Sequence, residues 1–123
     1  MSPNVTIAVD LAKSVFQLVI TDEKEKIVAR RRLPRSQFLR FWHIQAPSRV
    51  LMEACGSAHY WGRSLVARGH EVILLPPHSV TPYVQRNKTD ERDAEGLLEA
   101  VKSPRVHRVS LKSRDQQMIL SLH

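Results

Sequence analysis

The sequence predicts an α/β fold, a mixed five-stranded sheet with helices on both faces, on the strength of three observations. Two apolar runs rich in β-branched residues, 5–10 (VTIAVD) and 15–20 (VFQLVI), follow each other closely enough to form an antiparallel hairpin. Further along, strand-like runs alternate with helical stretches, as parallel crossover units do. Apolar content of 42% and charged content of 25% over 123 residues are ordinary for one globular domain. A chain of this length buries roughly 65% of its unfolded surface, enough for a true core.

Each element has its own signal. Residues 5–10 and 15–20 read as the first two strands, with LAKS between them and a charged turn from Thr21 to Lys26. Residues 27–33 (IVARRRL) read as a third strand, placed near a sheet edge by three consecutive arginines. Past the Pro34 break, Ser36 is the expected N-cap of a helix whose apolar face is Phe38, Phe41, Trp42 and Ile44. Ala46-Pro47 stops that helix, and residues 49–54 (RVLMEA) form the fourth strand. Ser57 is the expected cap of a second helix carrying Ala58, Trp61 and Leu65, with Gly69 as its C′ residue. Residues 71–75 (EVILL) form the fifth strand, ended by Pro76-Pro77. A short helix around 78–86 and another opening near Thr89 complete the order β-β-β-α-β-α-β-α, which is ribonuclease-H-like.

After Pro104 comes a basic stretch with Arg105, His107, Arg108, Lys112 and Arg114. Ser113-Arg114-Asp115-Gln116 reads as a capping box that opens a helix with Met118, Ile119 and Leu122 on its apolar stripe. That helix is cut within three turns. The expected organisation is a catalytic domain over 1–103, then a basic linker and the start of a truncated helix over 104–123, leading to a further domain.

Charge and composition narrow the function. Nineteen Lys and Arg against twelve Asp and Glu give net +7, which suits a polyanionic partner. Cys55 is the sole cysteine, so no intrachain disulfide forms and a reducing, cytoplasmic location fits. The N-terminus lacks a signal-peptide pattern, and no apolar run approaches ~18 residues, so no membrane span is expected. With aromatics at 6%, a base-stacking platform has little support.

Four carboxylates carry the chemistry. Asp10 ends VTIAVD, Glu53 ends RVLME, and Asp90 and Asp93 open KTDERDAEGLLEAV. Strands one and four are expected neighbours, which brings Asp10 and Glu53 together. At ~100° per residue, Ala94, Leu97, Leu98 and Val101 make an apolar helical stripe. Asp90 projects onto it and Asp93 lies beside it, while Glu91, Arg92, Glu95, Glu99 and Lys102 fall on the opposite side. The plainer explanation is that acids favour a helix's first turn by ~0.3–1 kcal/mol each. It accounts for Asp90 and Glu91 better than for Asp93, one turn in. A lone acid at a strand end is commonly solvated or capping, so Asp10 and Glu53 count only as a pair. Carboxylates ~4 Å apart repel by about 4 kcal/mol at an effective dielectric of 20, so converging acids need cations. Hard oxygen ligands suit Mg²⁺ or Mn²⁺. Two such ions cut phosphodiesters, one activating the nucleophile and the other stabilising the leaving oxygen.

Three longer segments, IAVDLAKSVFQLVITD, LMEACGSAHYWGRSLVARGHEVILLPP and RNKTDERDAEGLL, resemble the N-terminal domain of the DEDD insertion-sequence transposases. That family includes Piv-type DNA invertases and bridge-RNA-guided recombinases. The resemblance covers nearly the whole chain and rests on the ordered set D-x-A-K, M-E-A-C-G, G-H-E-V and K-T-D-x-x-D-A. It implies a RuvC-like fold in which Asp10, Glu53, Asp90 and Asp93 are the DEDD tetrad, catalytic and metal-binding. It also implies DNA strand cleavage and transfer with Mg²⁺ or Mn²⁺, DNA and a guide (bridge) RNA as partners, and a homo-oligomer in the full-length protein. Proteins of this family are similar over a chain two to three times longer, whose C-terminal domain carries a serine implicated in cleavage; nothing here matches that domain.

Several other residues have chemistry that admits more than one role. Lys13 and Lys88, beside tetrad positions, could contact a phosphate or tune a carboxylate, or be ordinary ion-paired lysines. Arg30, Arg31, Arg32 and Arg35 form the densest basic cluster, but a period-two strand divides it between faces. Nucleic-acid contact and edge protection compete there, as they do for Arg105 and Arg108. Cys55 is expected as a small buried core residue rather than a catalytic thiol. His59, His70 and His78 lack zinc-ligand spacing, and Trp42 and Trp61 belong to the core. A non-catalytic nucleic-acid-binding module on the same fold is the alternative function. An actin-like kinase fragment is set aside, because residues 10–15 (DLAKSV) contain no glycine for a phosphate turn.

Overall fold

A computed structural model describes residues 4–12, 14–84 and 93–121. The elements in chain order are β1 (Thr6–Leu11), β2 (Val15–Thr21), β3 (Ile27–Pro34), α1 (Arg35–Ile44), β4 (Arg49–Glu53), α2 (Gly56–Ala67), β5 (Glu71–Leu75), α3 (Pro77–Val84), α4 (Asp93–Ala100) and α5 (Arg114–Ser121). The strands form one five-stranded sheet in the order β3-β2-β1-β4-β5. β1 pairs antiparallel with β2, and β2 with β3, while β1–β4 and β4–β5 are parallel. This is the expected ribonuclease-H-like α/β arrangement, with β1 and β4 adjacent and β3 at an edge.

The period of two along each strand divides the core between the faces. Ile7, Val9, Phe16, Leu18, Val50 and Met52 point to the layer of α1 and α2. There Phe16, Phe38, Trp42 and Trp61 interlock edge to face, with ring centroids 4.5 Å apart for Phe16–Phe38 and 5.0 Å for Phe38–Trp61. Such geometry adds to the area term because a ring edge meets a neighbour's electron-rich face. On the other side, Ala8, Val19, Leu51, Ile73 and Leu75 meet Val80 of α3 and Ala94, Leu97 and Ala100 of α4. α3 and α4 approach closely at Gly96, where a Cβ would lie 2.8 Å from Val84 Cγ2 and 3.3 Å from its backbone nitrogen.

Helix ends are set by backbone geometry more than by serines. Pro34 still pairs with Val15 in the sheet and is itself the N-cap of α1, so Ser36 falls inside the helix and is not the cap. Cys55 takes the N-cap position of α2 and Ser57 lies within the first turn, so that expectation is corrected too. Cys55 is also exposed rather than buried, because it sits in the turn beyond the end of β4. The C-terminus of α2 matches expectation. Gly69 adopts φ 93°, and the amides of Gly69 and His70 donate to Val66 and Leu65 carbonyls, a Schellman closure.

The tail packs back on the domain. The Val109 amide donates to the Leu74 carbonyl at 2.8 Å, forming an isolated antiparallel bridge on β5. Arg63 of α2 donates to the Lys112 carbonyl and to Gln117 Oε1. The Ser113–Gln116 capping box forms reciprocally: the Gln116 amide donates to Ser113 Oγ at 3.1 Å, and the Ser113 amide to Gln116 Oε1 at 2.9 Å.

Candidate active site

Strand ends position two of the acids. Asp10 lies on β1 opposite Gln17 of β2, and Glu53 is the last residue of β4. The β1–β4 register runs Ile7↔Val50, Ala8↔Leu51, Val9↔Met52. One further step sets Asp10 beside Glu53 on strands about 4.8 Å apart. Ala8 and Leu51 face the α3–α4 layer, so alternation turns Asp10 and Glu53 to that same side.

Asp93 is the first residue of α4, which packs on that layer through Ala94 and Leu97. The Glu53 carboxyl is held above its ordinary pKa, first by desolvation and then by the Asp93 carboxylate. The Asp93 carboxylate therefore reaches Glu53 electrostatically and disfavours its ionisation. Asp10 and Asp93 are both half-buried. Asp90, Lys13 and Lys88 lie outside the described residues. Among the described residues, no group of three or more His, Cys, Asp or Glu stands in a metal-holding arrangement.

The three consecutive arginines separate. Arg30 is opposite Val19 and forms an ion pair with Glu95 of α4. Glu95 thus turns inward to a partner, with its side chain only 13% exposed, rather than lying on the solvent side as the helical projection expects. Arg31 is opposite Leu18 and faces the α1–α2 layer, whereas Arg32 is opposite Gln17 and shares the face of Asp10. Arg105 and Arg108 are exposed on the segment that leads to the β5 bridge.

Two histidines do structural work that sequence reading did not assign. His70 Nδ1 accepts the Ser48 amide at 3.0 Å, and His59 Nδ1 accepts the Lys112 amide at 3.0 Å. Both imidazoles are held below their ordinary pKa, mainly by burial, with Lys112 and Arg63 adding to the effect on His59 and Arg68 to that on His70. A backbone contact to Ser48 offsets part of the effect at His70. Gln17 is a further residue that the sequence patterns above do not single out. Its signal is a single polar residue inside the apolar strand VFQLVI, opposite Asp10 once the hairpin register is known.

Comparison with known proteins agrees with this architecture. The profile of the IS110-type DEDD family, described as "Transposase", matches residues 7–122. The chain is 47% identical over 117 residues to a "Probable family 20 transposase" of Pseudomonas aeruginosa, covering 95% of this chain and 35% of the relative. It is 41% identical over 118 residues to a "Putative transposase y4pF/y4sB" of Sinorhizobium fredii, covering 96% and 30%. It is 37% identical over 116 residues to the "Transposase for insertion sequence element IS1111A" of Coxiella burnetii, covering 94% and 32%. The chain therefore spans only 30–35% of the length of these relatives. A five-stranded mixed sheet of ribonuclease-H-like order and a profile match over residues 7–122 make the chain a member of the IS110-type DEDD transposase family.

Proposed function

We propose that Asp10, Glu53, Asp90 and Asp93 form a DEDD site that holds Mg²⁺ or Mn²⁺, and that the chain is the strand-cleaving part of a transposase acting on DNA. The observation that carries this reading is geometric: Asp10 on β1 and Glu53 at the end of β4 lie on neighbouring strands and one face, and Asp93 opens the helix packed on that face. Acids that repel each other at the end of a sheet are costly without a cation, and an all-oxygen donor set suits a hard divalent ion. Asp10 and Glu53 would hold it from the sheet, and Asp93, with Asp90, from the helix. When bound, such an ion polarises a phosphoryl oxygen and lowers the pKa of coordinated water. The chain's own part is to fix the acids on strand ends and to present basic side chains to the phosphates.

In this reading residues 1–103 carry the site, and 104–123 lead towards the remainder of a longer protein. That protein would act as a homo-oligomer with a guide (bridge) RNA, and would complete strand transfer with groups outside this chain. Lys13 and Lys88 would contact phosphates near the acids, and Arg105 and Arg108 would extend the contact surface.

Calorimetry with Mn²⁺ on the wild type, Asp10→Asn and Glu53→Gln tests the proposal. Binding in the wild type that is weakened at least tenfold in both variants supports it. Oligonucleotide binding with no Mn²⁺ uptake in any of the three would favour a non-catalytic nucleic-acid-binding module.

A further inference from the structure

One row of side chains crosses the sheet on the face of the candidate site. Asp10 on β1, Gln17 on β2 and Arg32 on β3 are register partners on neighbouring strands, and Glu53 on β4 lies one step past the last β1–β4 partners, Val9 and Met52. Adjacent strands are about 4.8 Å apart, so the Arg32 backbone lies roughly 10 Å from that of Asp10. The next row is different. Ala8 and Val19 are covered by α4, and Arg30 is committed to Glu95. Arg31 and Leu18 lie on the opposite face. Of the three arginines, then, Arg32 alone shares the row of the acids. The cavity at the β3 side of the sheet is lined by Gln17, Arg30 and Arg32, together with Leu18 and Arg31.

We infer that Gln17 and Arg32 form a phosphate track that leads a nucleic-acid strand to the acids. The inference rests on the reading of Asp10 and Glu53 as the reacting end. A strand laid along the row meets carboxylates at one end, a neutral amide in the middle and a guanidinium at the β3 edge. The guanidinium grips a phosphate neighbouring the one at the acids, with two parallel N–H···O bonds. The Gln17 amide hydrogen-bonds the sugar between them. Such contacts fix register without reading sequence, so Arg32 is a positioning residue.

The test is fluorescence anisotropy with labelled single-stranded DNA, duplex DNA and single-stranded RNA of one sequence, in chelator, across a salt series. Arg32→Gln should weaken binding roughly tenfold, the scale of one charge-assisted contact. It should also flatten the slope of log K against log salt by about 0.7 for a single strand or 0.9 for duplex DNA. Gln17→Ala should weaken binding by a smaller factor, and Arg31→Gln should stay within about twofold of wild type, since one exposed charge off the track contributes little. Without metal the acids repel the strand, so Asp10→Asn should tighten binding. The probe that shows all four effects identifies the strand as DNA or RNA. Equal losses for Arg31→Gln and Arg32→Gln, or no change on Asp10→Asn, would overturn the track. Mn²⁺ calorimetry on the same proteins separates the two readings. Loss of the metal result with the strand effects intact removes only the metal site, and the converse removes only the track.

Discussion

Single residues show where folding and the candidate chemistry compete. Glu53 sits where desolvation and Asp93 both disfavour its charge. An acid with a raised folded pKa favours the folded state below its unfolded value near 4.5, and that contribution is lost as pH rises through the raised value. At neutral pH and without metal, Glu53 is therefore a liability, and Glu53→Gln should raise the thermal midpoint. Saturating Mg²⁺ should reverse the order, because the wild type gains more from binding than the variant does. The histidines act in the opposite sense. His59 and His70 are acceptors in the folded state, with pKa values below their unfolded 6.5. The unfolded chain thus binds more protons between the two values, so stability is complete above about pH 6.5 and falls as pH drops towards the lowered values. Urea midpoints measured from pH 7.5 to 5 should decline. His70→Asn, whose amide oxygen keeps an acceptor near Nδ1 and does not titrate, should decline less steeply.

Elements translate these residues into geometry. The aromatic cluster under α1 and α2 supports the strands that end in the acids. Phe38→Ala should cost about 3–5 kcal/mol in urea unfolding, whereas Ile44→Ser, at a position 87% exposed, should stay within about 0.5 kcal/mol. α4 matters differently, since it carries Asp93. Gly96→Val would drive side-chain methyls into Val84 across the α3–α4 contact. It should cost about 1–3 kcal/mol and weaken Mn²⁺ binding as well, by displacing the start of α4. Strand order, the edge position of β3 and both tryptophans in the core were legible in the sequence, because apolar runs and helical stripes record burial directly. The helix caps at Ser36 and Ser57 were misread, because β3 runs straight into α1 and the turn at Cys55 already supplies the entry to α2. Glu95 was misplaced for a related reason: helical projection alone cannot see the Arg30 waiting across the layer.

The whole molecule joins a basic surface to an acidic sheet end. Its net charge of +7 favours a polyanion, yet the carboxylates at the β1–β4 end oppose one locally. Asp10 and Glu53 were readable as a pair once β1 and β4 were placed side by side. The division of Arg30, Arg31 and Arg32 among an ion pair, the far face and the acid row was not readable, because it depends on strand register. The topology fits the family, and the chain spans 30–35% of the length of the compared relatives. In the proposed site, acids from β1, β4 and α4 hold divalent metal. Anomalous diffraction from crystals soaked in Mn²⁺ tests it most directly. One or two peaks are expected, bounded by Asp10, Glu53 and Asp93, with ligand distances of about 2.0–2.2 Å and, if two ions bind, a separation of about 3.5–4 Å. Peaks confined to other surface carboxylates such as Glu25, Glu71 or Glu99, with none at the β1–β4 end, would contradict it.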